Sequence, residues 1–441
     1  MSTPSTSSVN RYVIPFAVVT ILFFMWGFIT VLVDSLIPRL KMVFELTYFQ
    51  AGLIQFAFFG AYFLVSIPGG RLISRIGYKR GVVAGLSLMA IGCMLFYPAA
   101  GVRVYGLFLA ALFVLASGMT ILQVAANPYV VALGPASSAS ARLNLSQAFN
   151  SLGTTIAPFF GSLLLLGSVV LSAEQQAALT EAERMAYVAE EAAAVQTPFL
   201  LLAGALLLLA VFFALFKLPS ILDTDSASGS TLRETFKHLP LRFGAFGIFA
   251  YVGAEVAIGS YLVNYFLTLD LPSLAIEHPG VRGLATFLAG DSPDQLEPTR
   301  VAGSFLGLYW GGAMVGRFLG SALMVWIRPG RLMGIYALVN VSLLILTATS
   351  GGLFAVFTAL AIGLFNSIMF PTIFSLAIGD LGDATAQGSG ILCTAIVGGA
   401  IIPPLYGALA DTVGLSLAFL LPAVCYLYIS WYGFYMAKYT A

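Results

Sequence analysis

One stretch near the N-terminus decides the fold class: residues 12–38 read YVIPFAVVTILFFMWGFITVLVDSLIP, an apolar run whose single charged residue is Asp34. A helix needs about 20 apolar residues to cross the hydrocarbon core of a bilayer, and this run is longer. The rest of the chain is similar, since 59% of its 441 residues are hydrophobic and 9% are charged. A soluble domain carries about 25% charged residues. The sequence therefore predicts an all-α integral membrane protein.

Apolar runs of this kind recur along the whole chain, separated by charged residues, proline and glycine. They predict twelve transmembrane helices, near residues 12–38, 48–70, 82–100, 105–128, 144–168, 197–217, 242–267, 300–325, 332–349, 352–377, 387–409 and 414–436. With this alternation, most Lys and Arg residues fall in connections on the same side as both termini. The positive-inside rule then predicts that both termini are cytoplasmic.

The longest polar connection on that side divides the predicted spans into two sets of six. We therefore expect an N-terminal six-helix bundle over residues 1–218, a cytoplasmic linker over 219–240 and a C-terminal six-helix bundle over 241–441. A modest similarity between the second and eighth predicted spans, each ending on an arginine at Arg80 and Arg331, supports a duplicated chain with parallel halves.

Composition also excludes several classes of protein. A net charge of +1 provides no field that would attract nucleic acid. The three cysteines lie in apolar stretches, and the two histidines, His238 and His278, are far apart in polar connections. We therefore expect no metal, no cofactor and no catalytic residue, and the protein is predicted not to be an enzyme.

Ionisable residues inside a membrane helix are costly and usually functional. Asp34 ends a stripe with Trp26 and Thr30 at four-residue spacing, so an aromatic ring, a hydroxyl and a carboxylate share one helix face. Such a face suits a sugar, because the ring stacks on its C–H face and the carboxylate accepts from its hydroxyls. The alternative is that Asp34 lies at the outer rim of the membrane, because Pro38 and Arg39 follow closely.

Glu255 lies in the middle of an apolar run, one helical turn after Tyr251. A lone buried carboxylate favours its protonated form and can release the proton when its solvation changes. We therefore predict an ion-coupling role for Glu255 as well as for Asp34. The alternative is a structural acid that pairs with Arg317 in the eighth predicted span.

Neutral polar residues concentrate on the fourth and fifth predicted spans. Gln123 and Asn127 share one helix face, and Gln147 and Asn150 share another. Amides supply the donors and acceptors that a sugar needs, so we predict that these four residues bind substrate. The alternative for each of them is a hydrogen bond that holds neighbouring helices together.

Short motifs over nearly the whole chain resemble one family. They are DSLIP at 34–38, FQAGLIQ at 49–55, AANP at 125–128, RLNL at 142–145, QAFNS at 147–151, YVGA at 251–254 and PTIFSL at 371–376. These motifs resemble the fucose:proton symporter family of the major facilitator superfamily. Gln123 stands where that family has a Glu, and Glu255 stands where the fucose permease has a Gln. This exchange is similar to the glucose/galactose branch.

The resemblance implies the major facilitator fold, with roles for Asp34 and Asn150 in sugar binding and proton coupling, and it adds Gln55 to the substrate residues. We expect a monomer in a bacterial inner membrane that takes up a hexose, glucose or galactose, by alternating access coupled to H⁺ or Na⁺. Two alternatives stay open: a symporter for fucose, mannose, fructose or N-acetylglucosamine, and a drug antiporter of the same fold. The amides on the fourth and fifth spans favour a sugar over a drug.

Overall fold

The computed structural model describes the backbone of residues 6–44, 48–102, 104–164, 178–219 and 231–439. Within these ranges, the side chains of residues 6–11, 34–44, 48–52, 159, 161–164 and 188–195 lie outside the description. The described residues form helices joined by short connections and contain no β-strand. The sequence-based expectation of an all-α membrane protein is confirmed.

Long helices make up the first part of the chain. They are α1 (Thr6–Phe44), α2 (Tyr48–Ile76), α3 (Tyr78–Val102), α4 (Tyr105–Ala132), α5 (Ala139–Leu164) and α6 (Glu181–Leu215). Pro128 lies inside α4 rather than at its end, because the helix continues for another turn. Thr180 caps α6 with its side chain, which accepts from the Glu183 N–H while the Glu183 carboxylate accepts from the Thr180 backbone.

The second part alternates long helices with short ones. They are α7 (Leu232–Thr235), α8 (Leu239–Thr268), α9 (Leu271–Glu277), α10 (Pro279–Ala289), α11 (Pro298–Leu323), α12 (Pro329–Thr349), α13 (Gly352–Asn366), α14 (Met369–Ile378), α15 (Thr385–Thr394), α16 (Gly398–Val413), α17 (Leu415–Ala418) and α18 (Leu420–Tyr439). Four of the long helices begin on a proline at or next to the first helical position, where the missing N–H costs nothing.

Ten helical stretches among the described residues are long and apolar enough to cross a membrane. They coincide with ten of the twelve predicted spans. The other two predicted spans correspond to α5 and α11, which have 26 residues each and are thus also long enough to cross. Three spans contain an interruption: α13 is followed by α14 after Ser367 and Ile368, α15 by α16 after residues 395–397, and α17 by α18 after Phe419.

Contacts between residues divide the chain into two compact units. The first unit comprises Met1–Tyr129, Phe149–Gly229 and Asp383–Thr394, and the second comprises Val130–Ala148, Ser230–Gly382 and Ala395–Ala441. The main division, after Gly229, falls inside the predicted linker 219–240. Residues 130–148 and 383–394 belong to the unit that does not contain their sequence neighbours, whereas the sequence analysis expected uninterrupted halves. The boundaries at 218 and 241 stay a prediction.

Close helix packing shapes both units. In the first, α3 packs along α6, and the rings of Phe96 and Phe199 stack with their centroids 4.2 Å apart. In the second, α12 packs along α18, and a Cβ on Gly433 would lie 2.7 Å from the Gly330 carbonyl oxygen. Small residues at such crossings let helix backbones approach one another, as is typical of membrane helices.

Candidate functional site

In the first unit, the predicted polar residues of α1, α4 and α5 whose side chains are described carry no charge. We call Trp26, Thr30, Gln123, Asn127 and Asn150 the amide region. Trp26 and Asn127 are buried, and Thr30, Gln123 and Asn150 are half-buried. The Thr30 Oγ1 and Gln123 Oε1 atoms are buried and have no hydrogen-bond partner among the described residues. A buried polar atom left in this state costs about 1 to 3 kcal/mol, so a ligand or water that binds it restores that energy.

The position of Asn150 is fixed by a close crossing of α1 and α5. Its Nδ2 donates to the Phe23 carbonyl oxygen at 2.9 Å. A Cβ on Gly27 would lie 2.3 Å from the Asn150 carbonyl oxygen, so only glycine fits there. The ring of Phe23 in turn packs edge-on against Trp26, with centroids 5.6 Å apart. The structure thus brings Asn150 beside the part of α1 that carries Trp26.

In the second unit, Glu255 lies near the middle of α8 and accepts a hydrogen bond from a tyrosine hydroxyl. The Tyr251 hydroxyl donates to the Glu255 Oε1 at 2.7 Å. Tyr309 from α11 and Tyr426 from α18 are fully buried and lie close enough to interact electrostatically with Glu255. The Asn366 side chain at the end of α13 bonds to the Tyr309 hydroxyl at 2.7 Å.

We call Tyr251, Glu255, Tyr309, Asn366 and Tyr426 the Glu255 cluster. Glu255 as a whole residue is half-buried, whereas the three tyrosines are fully buried. The Asn366 Oδ1 atom is buried and has no hydrogen-bond partner among the described residues. The cluster therefore offers both an ionisable group and an open acceptor.

Arg317 in α11 acts on Glu255 electrostatically. Its Nε donates to the Ser367 carbonyl oxygen at 3.1 Å, at the interruption between α13 and α14. The hydrogen-bond partner of the Glu255 carboxylate is Tyr251 rather than this arginine. Arg317 thus supports the interrupted span while it places a positive charge in the same unit as Glu255.

The two regions differ in what they can do chemically. The amide region supplies an indole ring, a hydroxyl and amides, which bind a neutral polyhydroxylated molecule by stacking and hydrogen bonds. The Glu255 cluster supplies a carboxylate inside a membrane helix, which changes its charge or binds a cation at a cost that depends on its hydration. Together they provide the groups required to bind a polar solute and to handle an ion.

Comparison with known proteins agrees with this chemistry. A family model described as Major Facilitator Superfamily matches residues 15–395. The chain belongs to the major facilitator superfamily. The resemblance inferred from the sequence motifs is confirmed, and with it the prediction that the protein is a transporter and not an enzyme.

Relatives within the superfamily are similar over nearly their whole length. The glucose/galactose transporter of Brucella abortus biovar 1 is 52% identical, and the match covers 98% of this chain and 96% of the relative. The L-fucose-proton symporter of Escherichia coli K12 is 37% identical, over 95% and 92%. The crystal structure of the transporter FucP in its outward conformation has a TM-score of 0.84 at 35% identity, covering 97% of this chain and 99% of that one.

The remaining predicted site residues fall in different places in this major facilitator fold. Asp34 belongs to α1, but its side chain lies outside the described ones. Gln55 lies on α2 and is exposed. Gln147 is buried on α5, in the segment that belongs to the second unit. The substrate and ion roles of all predicted residues stay predictions.

Sequence reasoning did not find Tyr309, Asn366 and Tyr426 as neighbours of Glu255. They come from three helices that are far apart in sequence, so no local spacing joins them. Asn366 did offer a signal, because it is an amide at the end of the otherwise strongly apolar α13. The alternative that Arg317 pairs with Glu255 also missed its bond to the Ser367 carbonyl, because the interruption after α13 is not apparent from sequence.

Proposed function

We propose that this multi-pass membrane protein is a cation-coupled sugar symporter that takes up glucose and galactose. The observation that carries the proposal is the Glu255 carboxylate, which lies in mid-helix with one hydroxyl donor in a chain that also presents uncharged amides. A transporter of neutral solutes that does no work against a gradient has no need of such a costly group. The name of the Brucella relative supports glucose and galactose as the substrates.

The amide region is the proposed sugar-binding surface, and its acceptors suit hexose hydroxyls. Thr30 and Gln123 leave buried oxygens open, and a hydroxyl of the sugar satisfies such an atom where an apolar drug does not. Trp26 presents the ring for the C–H face of the sugar. This difference favours a sugar over the drug antiporter that the sequence analysis kept as an alternative.

Glu255 and Asp34 are the proposed ion-handling residues, and the ion is H⁺ or Na⁺. One charge that moves across a potential of 100 mV gains about 2.3 kcal/mol, enough for about 50-fold accumulation of the sugar. Most Lys and Arg residues lie in the predicted connections on the same side as both termini. This distribution supports cytoplasmic termini in a bacterial inner membrane. We propose that one chain suffices, because both regions are present in it.

Transport in proteoliposomes of purified protein tests this function. Labelled glucose, galactose and L-fucose are compared by counterflow, and pH and sodium gradients are then imposed separately. We expect counterflow of glucose and galactose, and accumulation driven by one of the two gradients. Faster counterflow of L-fucose than of glucose and galactose would make L-fucose the substrate in their place. Uptake that neither gradient drives would overturn the symport mechanism.

A further inference from the structure

A cavity of about 780 Å³ lies in the second unit, away from the Glu255 cluster. It is located at the end of the helices where α11 finishes, α12 begins and α18 finishes. Its walls include three basic residues, Arg328, Arg331 and Lys438, and the apolar residues Trp326, Ile335 and Phe434. We call it the cationic cavity. The proposed sugar-binding and coupling residues contribute nothing to its lining.

The charge of this cavity is not neutralised from within. No acidic residue is found among the described residues that line it, and the salt bridge of Arg282 with Asp294 lies elsewhere in the unit. Arg328 contacts the Ala437 carbonyl oxygen at 3.5 Å, at the C-terminal end of α18. Arg331 and Lys438 are exposed. Their positive charges are therefore available to an anion.

The start of α12 adds to the positive potential. The helix begins at Pro329, and Arg328 precedes it without a side-chain hydrogen bond that caps the helix. The first N–H groups of a helix have no acceptor within the helix, and the helix dipole is positive at this end. A phosphate group is the kind of anion that such an end binds, especially beside arginine and lysine side chains.

The apolar part of the cavity distinguishes its ligand from a free anion. Trp326 is 79% exposed and its neighbour Val325 is 72% exposed, next to the ends of membrane helices. Tryptophan is typical of this level of a membrane protein, where its ring lies between headgroups and acyl chains. An amphipathic molecule uses both walls, whereas inorganic phosphate would leave the apolar wall without a contact.

We propose that the cationic cavity binds the headgroup of an anionic glycerophospholipid from the surrounding bilayer. Arg331 and Lys438 contact the phosphodiester, and Trp326 contacts the glycerol and the first part of the acyl chains. Basic pockets between membrane helices are suited to such headgroups. This lipid site is separate from the proposed sugar transport, and it stands whether or not that function is confirmed.

Quenching of tryptophan fluorescence by brominated lipid tests the proposal. The full chain is placed in phosphatidylcholine nanodiscs that contain increasing fractions of brominated phosphatidylglycerol or, separately, brominated phosphatidylcholine. We expect quenching at lower fractions of the anionic lipid, and W326F should remove this difference because Trp326 is the reporting ring. Equal quenching by the two lipids in the wild-type protein would overturn the proposal.

Charge variants test which residues hold the lipid. Each basic side chain near a membrane surface contributes about fivefold to the binding of anionic lipid, so R331Q/K438Q should weaken the preference about 25-fold. R233Q/K237Q removes the same charge from the connection before α8 and should leave the preference unchanged. R331K/K438R keeps both charges and should keep the preference for anionic lipid. A melting temperature equal to that of the wild-type protein would show that the cavity tolerates substitution.

Inorganic phosphate separates a lipid site from a site for free anions. We expect millimolar phosphate, at constant ionic strength, to leave the quenching by brominated phosphatidylglycerol unchanged. Displacement of the lipid by phosphate, or an undiminished lipid preference in R331Q/K438Q, would contradict the proposal.

Discussion

The amide region and the Glu255 cluster show two ways in which a membrane protein keeps polar groups inside. The amide region contains no described charge, and its oxygens on Thr30 and Gln123 have no hydrogen-bond partner among the described residues. The Glu255 cluster contains a carboxylate that the Tyr251 hydroxyl and a nearby arginine stabilise. The first arrangement is completed by a neutral ligand, and the second by a change in charge. The two kinds of chemistry suit the two proposed roles, sugar binding and ion coupling.

Neutralising Glu255 should have the largest effect. Sugar counterflow requires only that the loaded carrier reorients, whereas accumulation requires the carboxylate to bind and release its ion in each cycle. Glu255→Gln should thus retain counterflow and lose the accumulation, which for one charge at 100 mV is about 50-fold. Proteoliposomes with and without a driving gradient measure both quantities.

Glu277→Gln is the matched control, because Glu277 is an exposed carboxylate on α9. It should accumulate sugar as the wild-type protein does. Undiminished accumulation by Glu255→Gln would remove the contrast between the two regions and leave Asp34 as the ion-handling residue. A loss of stability shared with Arg317→Ala would instead indicate a structural role for Glu255.

The next effect concerns Asn150 in the amide region. Asn150→Ala removes a hydrogen-bonding group of about 1.5 kcal/mol from the proposed sugar site and should raise the Kd of the sugar about tenfold. Calorimetry on purified protein measures this. Thr155→Ala, one turn further along α5, removes a hydroxyl that donates to the Ser151 carbonyl and should leave the Kd unchanged. An unchanged Kd in Asn150→Ala would assign Asn150 to the packing of α1 and α5.

Gln123 allows a sharper distinction between ligand binding and packing. Because its Oε1 has no hydrogen-bond partner in the described part of the chain, Gln123→Met should weaken sugar binding by several-fold and leave the melting temperature unchanged or raised. Gln196 differs, because its Nε2 donates to the Tyr97 carbonyl at 3.0 Å. Gln196→Met should cost about 1 kcal/mol of stability and leave sugar binding intact. The opposite pattern in the two variants would contradict the assignment of Gln123 to the ligand.

The crossing of α1 and α5 gives a prediction about stability. A methyl group on Gly27 would collide with the Asn150 backbone, so Gly27→Ala should separate the helices at a cost of about 1 to 3 kcal/mol. Gly60→Ala is the control, since a Cβ there has no atom within 4 Å. Thermal unfolding in detergent compares the two. Equal melting temperatures would show that the amide region tolerates a wider crossing.

The smallest effect is expected from a carboxylate outside the membrane. Hydrogen bonds from Ser292 and pairing with Arg282 at 2.8 Å lower the pKa of Asp294 from its ordinary value of 3.8. A carboxylate whose pKa is lowered by folding stabilises the folded state at pH values above its ordinary pKa. This stabilisation is lost as the pH falls through the lowered pKa. Asp294→Asn should slightly lower the melting temperature at pH 7, and this difference should shrink as the pH falls below 3.8, without changing transport. A change in accumulation would contradict the separation between membrane and loop carboxylates.

Sequence predicted most of the fold, because hydrophobic runs are local features. It also identified Glu255 as a candidate functional residue, because a single charged residue within an apolar helix can be recognised without a structure. It could not predict that Tyr309 and Tyr426 act electrostatically on that charge or that Asn366 bonds to Tyr309, because their helices meet only after folding. Nor could spacing alone show that Asn150 bonds to the Phe23 carbonyl or that Gln55 is exposed. The substrate roles of these residues stay predictions that the variants above test.

One helix has a consequence for how the protein enters the membrane during synthesis. α11 has the length of a span but is not among the ten stretches with sufficient hydropathy, because it combines several glycines with Arg317. A helix of this composition partitions poorly into lipid on its own. The acceptor that accommodates its arginine, the Ser367 carbonyl, is synthesised about fifty residues later. Stable insertion of α11 therefore depends on a following helix, so a nascent chain that ends before α13 should leave α11 open to extraction from the bilayer.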